Sequence, residues 1–469
     1  MKDVIEGIKG IVGPKGYMDD PRLMAPYVAD WRGRYQGQTP IVVMPASTYE
    51  VSEILILCNR TGTPVVPQGG NTGLVLGGVP TDDGTQVVLN LSRMNKVLDI
   101  DPQGLSMTVE AGASLQSIQE AAQKHGLLFP LSLASEGSCQ IGGNISTNAG
   151  GIHVLRYGNT RELVLGLEAV LPSGEVWNGM TALRKDNTGY DLKQMFIGAE
   201  GTLGVVTRAS LKLYPAPKTV ETAFIGMESV DAAMSMLQAL SAGVGERLTA
   251  FEIFPRNGLE KVLKHIPDTR DPMGAPCPWY AVVDLWSVMK DDTLGDTFAN
   301  LLVECMENGH ALDAVYIQNE TQRAEVWKLR ETFAESLKKE GAGFAFDISV
   351  PLSQIPSFIE EGIAAVERIL PNAMCVPFGH AGDGNIHFNI GPNGSAPEDV
   401  KAKAADISKA INDIAVAKGG SISAEHGIGR YRKADLNHYK DPLEMNMMKT
   451  LKTALDPNGI MNPGVFFDI

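Results

Sequence analysis

An α+β fold in two main parts follows from three features of the sequence. From Pro40 the sequence alternates short strand and helix signals with three Gly-rich stretches. That texture stops at Pro215-Ala216-Pro217, and a β-α-β-β-α-β succession of ferredoxin-like type begins. Further on, FGHAGDGNIHFNI at 378–390 sets a turn signal between two apolar arms, the pattern of a β-hairpin, and both arms carry a histidine.

Taken in order, residues 3–12 place Val4, Ile5, Ile8, Ile11 and Val12 at helical spacing. A strand at 41–45 precedes a capping-box signal from Ser47 to Glu50. The helix it opens runs to about Gly62, with Val51, Ile54, Leu55 and Cys58 inward. A short strand ending at Pro67 enters Gln68-Gly69-Gly70-Asn71-Thr72-Gly73-Leu74-Val75-Leu76-Gly77-Gly78. Its glycines let backbone approach an anion, and successive N–H groups can form a nest. Neither a Walker A motif nor a dinucleotide GxGxxG is present, so alone this loop is either a phosphate cradle or a plain turn.

Strands at 87–91 and 107–110 and a helix at 115–125 lead to the second stretch. It reads Gly137-Ser138-Cys139-Gln140-Ile141-Gly142-Gly143-Asn144-Ile145-Ser146-Thr147-Asn148-Ala149-Gly150-Gly151. The third, Ile197-Gly198-Ala199-Glu200-Gly201-Thr202-Leu203-Gly204, enters a strand at Val205. Three such loops fit one large, extended ligand better than three unrelated turns.

The second part has strands at 222–227, 249–254, 279–285 and 314–318, with helices from 230 and over 293–306. A long helix at 321–339 carries Arg330; a strand at 344–349 and helices at 354–370 and 406–417 complete it. In the hairpin, His380 ends the first arm. His387 and Asn389 share one face of the second arm, and Ile386, Phe388 and Ile390 the other.

Downstream lies Ser423-Ala424-Glu425-His426-Gly427. His380, His387 and Glu425 suit a catalytic zinc, or another divalent metal, with an open position. Such a cation makes a ligand oxygen more acidic, and His426 is a natural general base. Adjacent side chains usually diverge, so Glu425 and His426 are not both expected on the metal. Asn389 can hydrogen-bond a substrate, and Arg330 can clamp a carboxylate. The plainer alternatives are structural histidines, an ion-paired Arg330, structural Lys185 and Asp186, and an Asp383 that serves the turn.

Composition narrows the class. With 44% hydrophobic and 20% charged residues the chain is an ordinary globular protein. Its net charge of −15 argues against nucleic acid or membrane-surface binding. The five cysteines include no CxxC, so reduced thiols and a cytoplasmic location are expected. The start, MKDVIEGIKG, lacks an apolar leader segment, and no apolar run is long enough for a membrane span.

PQGGNTG, GSCQIGGNISTNAGG and RKDNTGYDLKQMFIGAEGTLG together resemble the vanillyl-alcohol-oxidase type of FAD-binding domain over residues 35–218. The resemblance implies that the first loop holds the FAD pyrophosphate and that the other two line the rest of the flavin. No His lies in the first loop, and Cys139 is the one thiol in the three, so non-covalent FAD is expected. The tail around Asn462 resembles the family's terminal segment, which returns to the flavin. The implied parts are an FAD-binding domain at 1–219, a substrate- and metal-binding cap at 220–435 and a returning segment at 436–469.

HAGDGNIHFN and SAEHGIG resemble the C-terminal half of the FAD-linked D-2-hydroxy-acid dehydrogenases, most of all those acting on D-2-hydroxyglutarate. That resemblance implies zinc on His380, His387 and Glu425, His426 as base, and substrate held by Arg330 and Asn389. It implies hydride transfer to flavin N5, from a 2-hydroxy acid of the 2-hydroxyglutarate, malate or lactate type. An electron-transfer flavoprotein or a quinone is the expected acceptor, and a homodimer one expected assembly. Where the 2-hydroxyglutarate pattern has a Thr and a Lys, this chain has Ala334 and Ala345, which leaves the acid open. Two alternatives stand beside it: a flavin oxidase of another alcohol or sugar lactone using oxygen, and a non-catalytic flavin-binding subunit.

Overall fold

The computed structural model describes residues 1–290, 293–341, 343–392 and 397–468. Two compact units emerge. One comprises residues 1–150, 158–216 and 425–469; the other comprises 151–157 and 217–424.

The first unit holds two larger sheets. A four-stranded sheet runs in the order Tyr17–Met18, Val42–Val43, Val87–Asn90, Val65–Gln68, with its last three strands parallel. The other is five-stranded and antiparallel: Val97–Asp101, Ser106–Glu110, Val205–Lys212, Val164–Val170, Val176–Gly179. The helix Thr48–Thr61 shows why the sequence signal worked. Ser47 accepts the Glu50 N–H, Glu50 accepts the Ala46 N–H at 2.8 Å, and Val51, Ile54, Leu55 and Cys58 are buried.

The chain returns to this unit earlier than the sequence suggested. Glu425 and His426, expected in the cap, belong to the first unit. The cause is a set of long-range bonds: the Ile428 and Gly429 N–H groups donate to the Glu200 carboxylate, and Arg430 N–H donates to Val75 O. Further on, Val65 N–H donates to Ile460 O and Asn462 N–H to Val65 O, which lays the tail along the strand Val65–Gln68. Lys452 is buried beneath the tail, bonded to Asp456 and to the Thr202 and Met461 carbonyls.

The second unit carries a seven-stranded antiparallel sheet. Its order is Asp313–Tyr316, Thr219–Met227, Trp279–Ser287, Leu248–Pro255, Met374–His380, Asn385–Gly391, Phe344–Ser349. The first four strands have the ferredoxin-like order, and the His-bearing hairpin extends it. Central strands are buried on both faces because helices cover both. One face packs Ile386, Phe388 and Ile390 against helices such as Ile355–Ile369. The other packs Phe254, Phe333 and Phe378 together.

The single long helix expected at 321–339 is two, Glu320–Glu331 and Phe333–Lys339. Thr332 sits at the break and its hydroxyl donates to Lys328 O at 2.7 Å, a back-bond that bends helices. Likewise the second Gly-rich stretch is not all loop: Ile141–Ser146 is helical. None of the described helices is long and apolar enough to cross a membrane.

Candidate active site

In the second unit the site is a consequence of strand register. Glu252 pairs directly with His380, and Asp347 directly with His387. Each imidazole therefore faces a carboxylate on the neighbouring strand. Glu252 Oε1 lies 2.6 Å from His380 Nδ1, and Asp347 Oδ1 lies 3.8 Å from His387 Nδ1. Metal-binding imidazoles are oriented in this way, with a carboxylate behind the ring. The two rings stand nearly perpendicular, 5.2 Å between centroids.

The carboxylates are fixed in turn. Asp347 is fully buried and accepts from Asn385 Nδ2 at 2.9 Å and from the Ala424 N–H at 3.1 Å. Glu425 is the next residue along the chain. Glu252 also accepts from Arg330 Nε at 2.7 Å. Burial alone would raise the Glu252 carboxyl; the charges of His380 and Arg330 override it and hold it at about 2.

Arg330 is itself buried, and its guanidinium lies over the Phe378 ring at 4.8 Å. Its Nη2 is 2.7 Å from Glu252 Oε2 but out of line, and this buried nitrogen makes no hydrogen bond. A buried donor left over on a guanidinium is where an incoming carboxylate would bind. Asn389 is on the His387 face, opposite Ala345. Its side chain makes one long contact, 3.5 Å to His387 O.

In the first unit the Gly-rich stretches converge on one groove. Pro67, Gln68, Gly69, Gly70, Asn71, Thr72, Gly73, Gly77 and Gly78 line it from the first loop. Gly142, Gly143, Asn144 and Thr147 line it from the second stretch, Glu200, Gly201, Gly204 and Val205 from the third, and His426 from the returning segment. Glycines from all three stretches line the groove and allow the close backbone approach that an extended phosphate-bearing ligand needs. A Cβ added at Gly73 or Gly143 would meet no neighbour, so these glycines open the wall. At Gly70 a Cβ would lie 1.9 Å from Ser138 O, so only glycine permits this approach.

Strain gathers in the same place. Asn71, Leu76, Asn148, Glu200 and Asn462 are non-glycine residues with positive φ, five of nine among the described residues. Such backbone persists where surrounding structure over-determines it.

Six expected flavin contacts are not among the lining residues. Gly137, Ser138, Asn148 and Gly150 do not line the groove, and Gly151 falls in the second unit. Asn462 instead clamps two loops, donating to Gly77 O at 2.8 Å and Glu200 O at 2.7 Å. Gln140 and Ser146, passed over in the sequence, do line the groove. Cys139 is buried, and burial pushes its thiol up, away from the thiolate a covalent link would need.

His426 and Glu425 were expected to diverge. They do not: His426 Nε2 lies 3.5 Å from Glu425 Oε1, on a bend that ends at Gly427 with φ +80°.

Glu200 is buried in the wall of the groove, 7% exposed. Burial raises its carboxyl to about 7, although the Ile428 and Gly429 N–H groups at 2.7 and 2.8 Å favour the ionised form. The ordinary value is 4.5, so between pH 4.5 and 7 the folded state keeps a proton that the unfolded chain has released. The group's contribution is therefore full below pH 4.5 and is lost as pH rises through 7. Glu200→Gln should remove that slope. Urea unfolding of FAD-stripped protein at pH 5 and pH 8 should show a difference smaller by about 2–3 kcal/mol in the variant. An identical pH slope in both proteins would contradict the assignment.

Comparison with known proteins agrees with this geometry. Residues 39–179 match the family model described as "FAD binding domain", and residues 216–466 match "FAD linked oxidases, C-terminal domain". The mitochondrial D-2-hydroxyglutarate dehydrogenase of Arabidopsis thaliana is 37% identical over 456 residues, covering 97% of this chain and 80% of the relative. The D-2-hydroxyglutarate dehydrogenase of Xanthomonas citri is 38% identical over 451 residues, covering 96% and 93%. Among solved structures, p-cresol methylhydroxylase with bound substrate superposes with a TM-score of 0.77 at 16% identity, over 100% of this chain and 97% of that one. The fold is thus of the vanillyl-alcohol-oxidase type, and the chain belongs to the FAD-linked D-2-hydroxy-acid dehydrogenases.

Proposed function

We propose that this enzyme oxidises a D-2-hydroxy acid to the 2-keto acid with non-covalent FAD and zinc, and that D-2-hydroxyglutarate is the first substrate to test. The supporting observation is the pair of imidazoles, each backed by a cross-strand carboxylate, beside a buried guanidinium with a donor to spare. His380 and His387 supply two ligands and Glu425 the third. Arg330 binds the C1 carboxylate through its remaining N–H edge. Asn389 orients the hydroxyl end, and His426 takes the hydroxyl proton. FAD held in the groove would supply the acceptor for the C2 hydride, and a divalent cation held by His380, His387 and Glu425 would stabilise negative charge on the C2 oxygen.

The names of the relatives favour 2-hydroxyglutarate. Ala345 opposite Asn389, and Ala334 beyond Arg330, offer no cation to a distal carboxylate. D-Malate and D-lactate therefore belong in the same screen. Electrons would leave through an electron-transfer flavoprotein or a quinone. Five unpaired cysteines, four of them buried, suit a reducing compartment such as the cytoplasm.

Anaerobic mixing of the yellow enzyme with each acid, in both enantiomers, tests the proposal. A D-acid should bleach the flavin while its L-enantiomer does not, and prior chelation should abolish bleaching with FAD still bound. Flavin that stays yellow with every acid refutes the activity, and bleaching by metal-free protein removes zinc from it.

A further inference from the structure

Glu252 lies on the strand Leu248–Pro255, distant in sequence from every motif, yet its two oxygens are divided between two functional groups. Oε1 is 2.6 Å from His380 Nδ1, and Oε2 accepts Arg330 Nε at 2.7 Å. We infer that Glu252 is a positioning residue that sets the substrate-clamping Arg330 and the metal-binding His380 together. The inference rests on the functional reading above.

Three constraints support it. The carboxylate is 1% exposed and so shielded from bulk solvent. The strand register places Glu252 directly opposite His380, which fixes its approach to Nδ1; in the proposed site the metal would bind through Nε2. For Arg330, stacking on Phe378 fixes the plane of the guanidinium, and Glu252 fixes its rotation within that plane. Glu252 Oε2 lies 2.7 Å from both Nε and Nη2, and the edge of the guanidinium turned away from it is left for a substrate carboxylate. A shift of Glu252 would therefore move both partners at once, where loss of either partner alone would affect one function.

Glu252→Gln has one acceptor oxygen in place of two, so it can satisfy Arg330 or His380 but not both. In the FAD-loaded enzyme, zinc affinity measured by competition with a chromophoric chelator, without substrate, should weaken by about 10- to 100-fold. KM for the D-2-hydroxy acid should rise together with it by about tenfold or more, while flavin content and spectrum stay unchanged. If the glutamine variant does not fold, Glu252→Asp, which keeps the charge and shortens the reach, is read by the same two measurements.

A folded variant with zinc affinity and KM both within about twofold of wild type overturns the inference, as does a change in one without the other. A purely structural role would lower thermal stability and leave both constants of the folded protein in place. Wild-type protein that neither binds zinc nor oxidises any acid overturns the functional reading and this inference with it. Unchanged variants of an active enzyme overturn this inference alone.

Discussion

His426→Ala is expected to slow flavin reduction by about 10²- to 10⁴-fold, the usual contribution of a positioned general base, with FAD still bound. The residue lines the flavin groove, so its imidazole faces the compartment where oxidation would take place. Its backbone is set from both sides. Gly427 follows at a φ that disfavours other residues, and the next two N–H groups are held by Glu200. Glu425 lies against Nε2, so the carboxylate proposed as a metal ligand also orients the base. Alanine removes the proton acceptor but leaves these backbone contacts, so loss of fold does not confuse the result. Stopped-flow reduction at several pH values is the measurement. The slow variant should lose the wild-type rise of rate with pH that deprotonation of the base produces. A variant rate within about threefold of wild type would exclude His426 as the base.

What could be read in the sequence depended on whether the signal was local. The hairpin was legible because a two-residue period sorts His387 and Asn389 from Ile386, Phe388 and Ile390. The structure puts the latter three in one core. The flavin loops were legible because close approach and positive φ favour Gly and Asn, as at Gly70 and Asn71. Glu252 and Asp347 were not, since each owes its role to a partner strand whose register no local pattern encodes. Glu200 was recognised by its motif, but not its grip on Ile428 and Gly429, which also places His426 in the first unit. The helix break at Thr332 was missed because its apolar spacing continues across the bend; a hydroxyl returning to Lys328 O creates it.

Arg330→Lys separates charge from geometry at the clamp. Lysine keeps the cation but loses the planar fork, so one ammonium must choose between Glu252 and the substrate carboxylate. Glu252 is buried and already in place, and it should win. The expected result is a rise in KM for the D-2-hydroxy acid of about 10- to 100-fold, with little change in unfolding midpoint. Arg330→Met goes further. It leaves the Glu252 carboxylate buried against His380 alone, and breaking such a pair costs about 3–5 kcal/mol. Urea unfolding should show that loss in the methionine variant and not in the lysine variant, while both show the raised KM. If the lysine variant retains wild-type KM, Arg330 is an ion-pair partner of Glu252 and nothing more. The substrate carboxylate would then need a different cation, and the clamp would have to be sought elsewhere on the Phe378 face of the sheet.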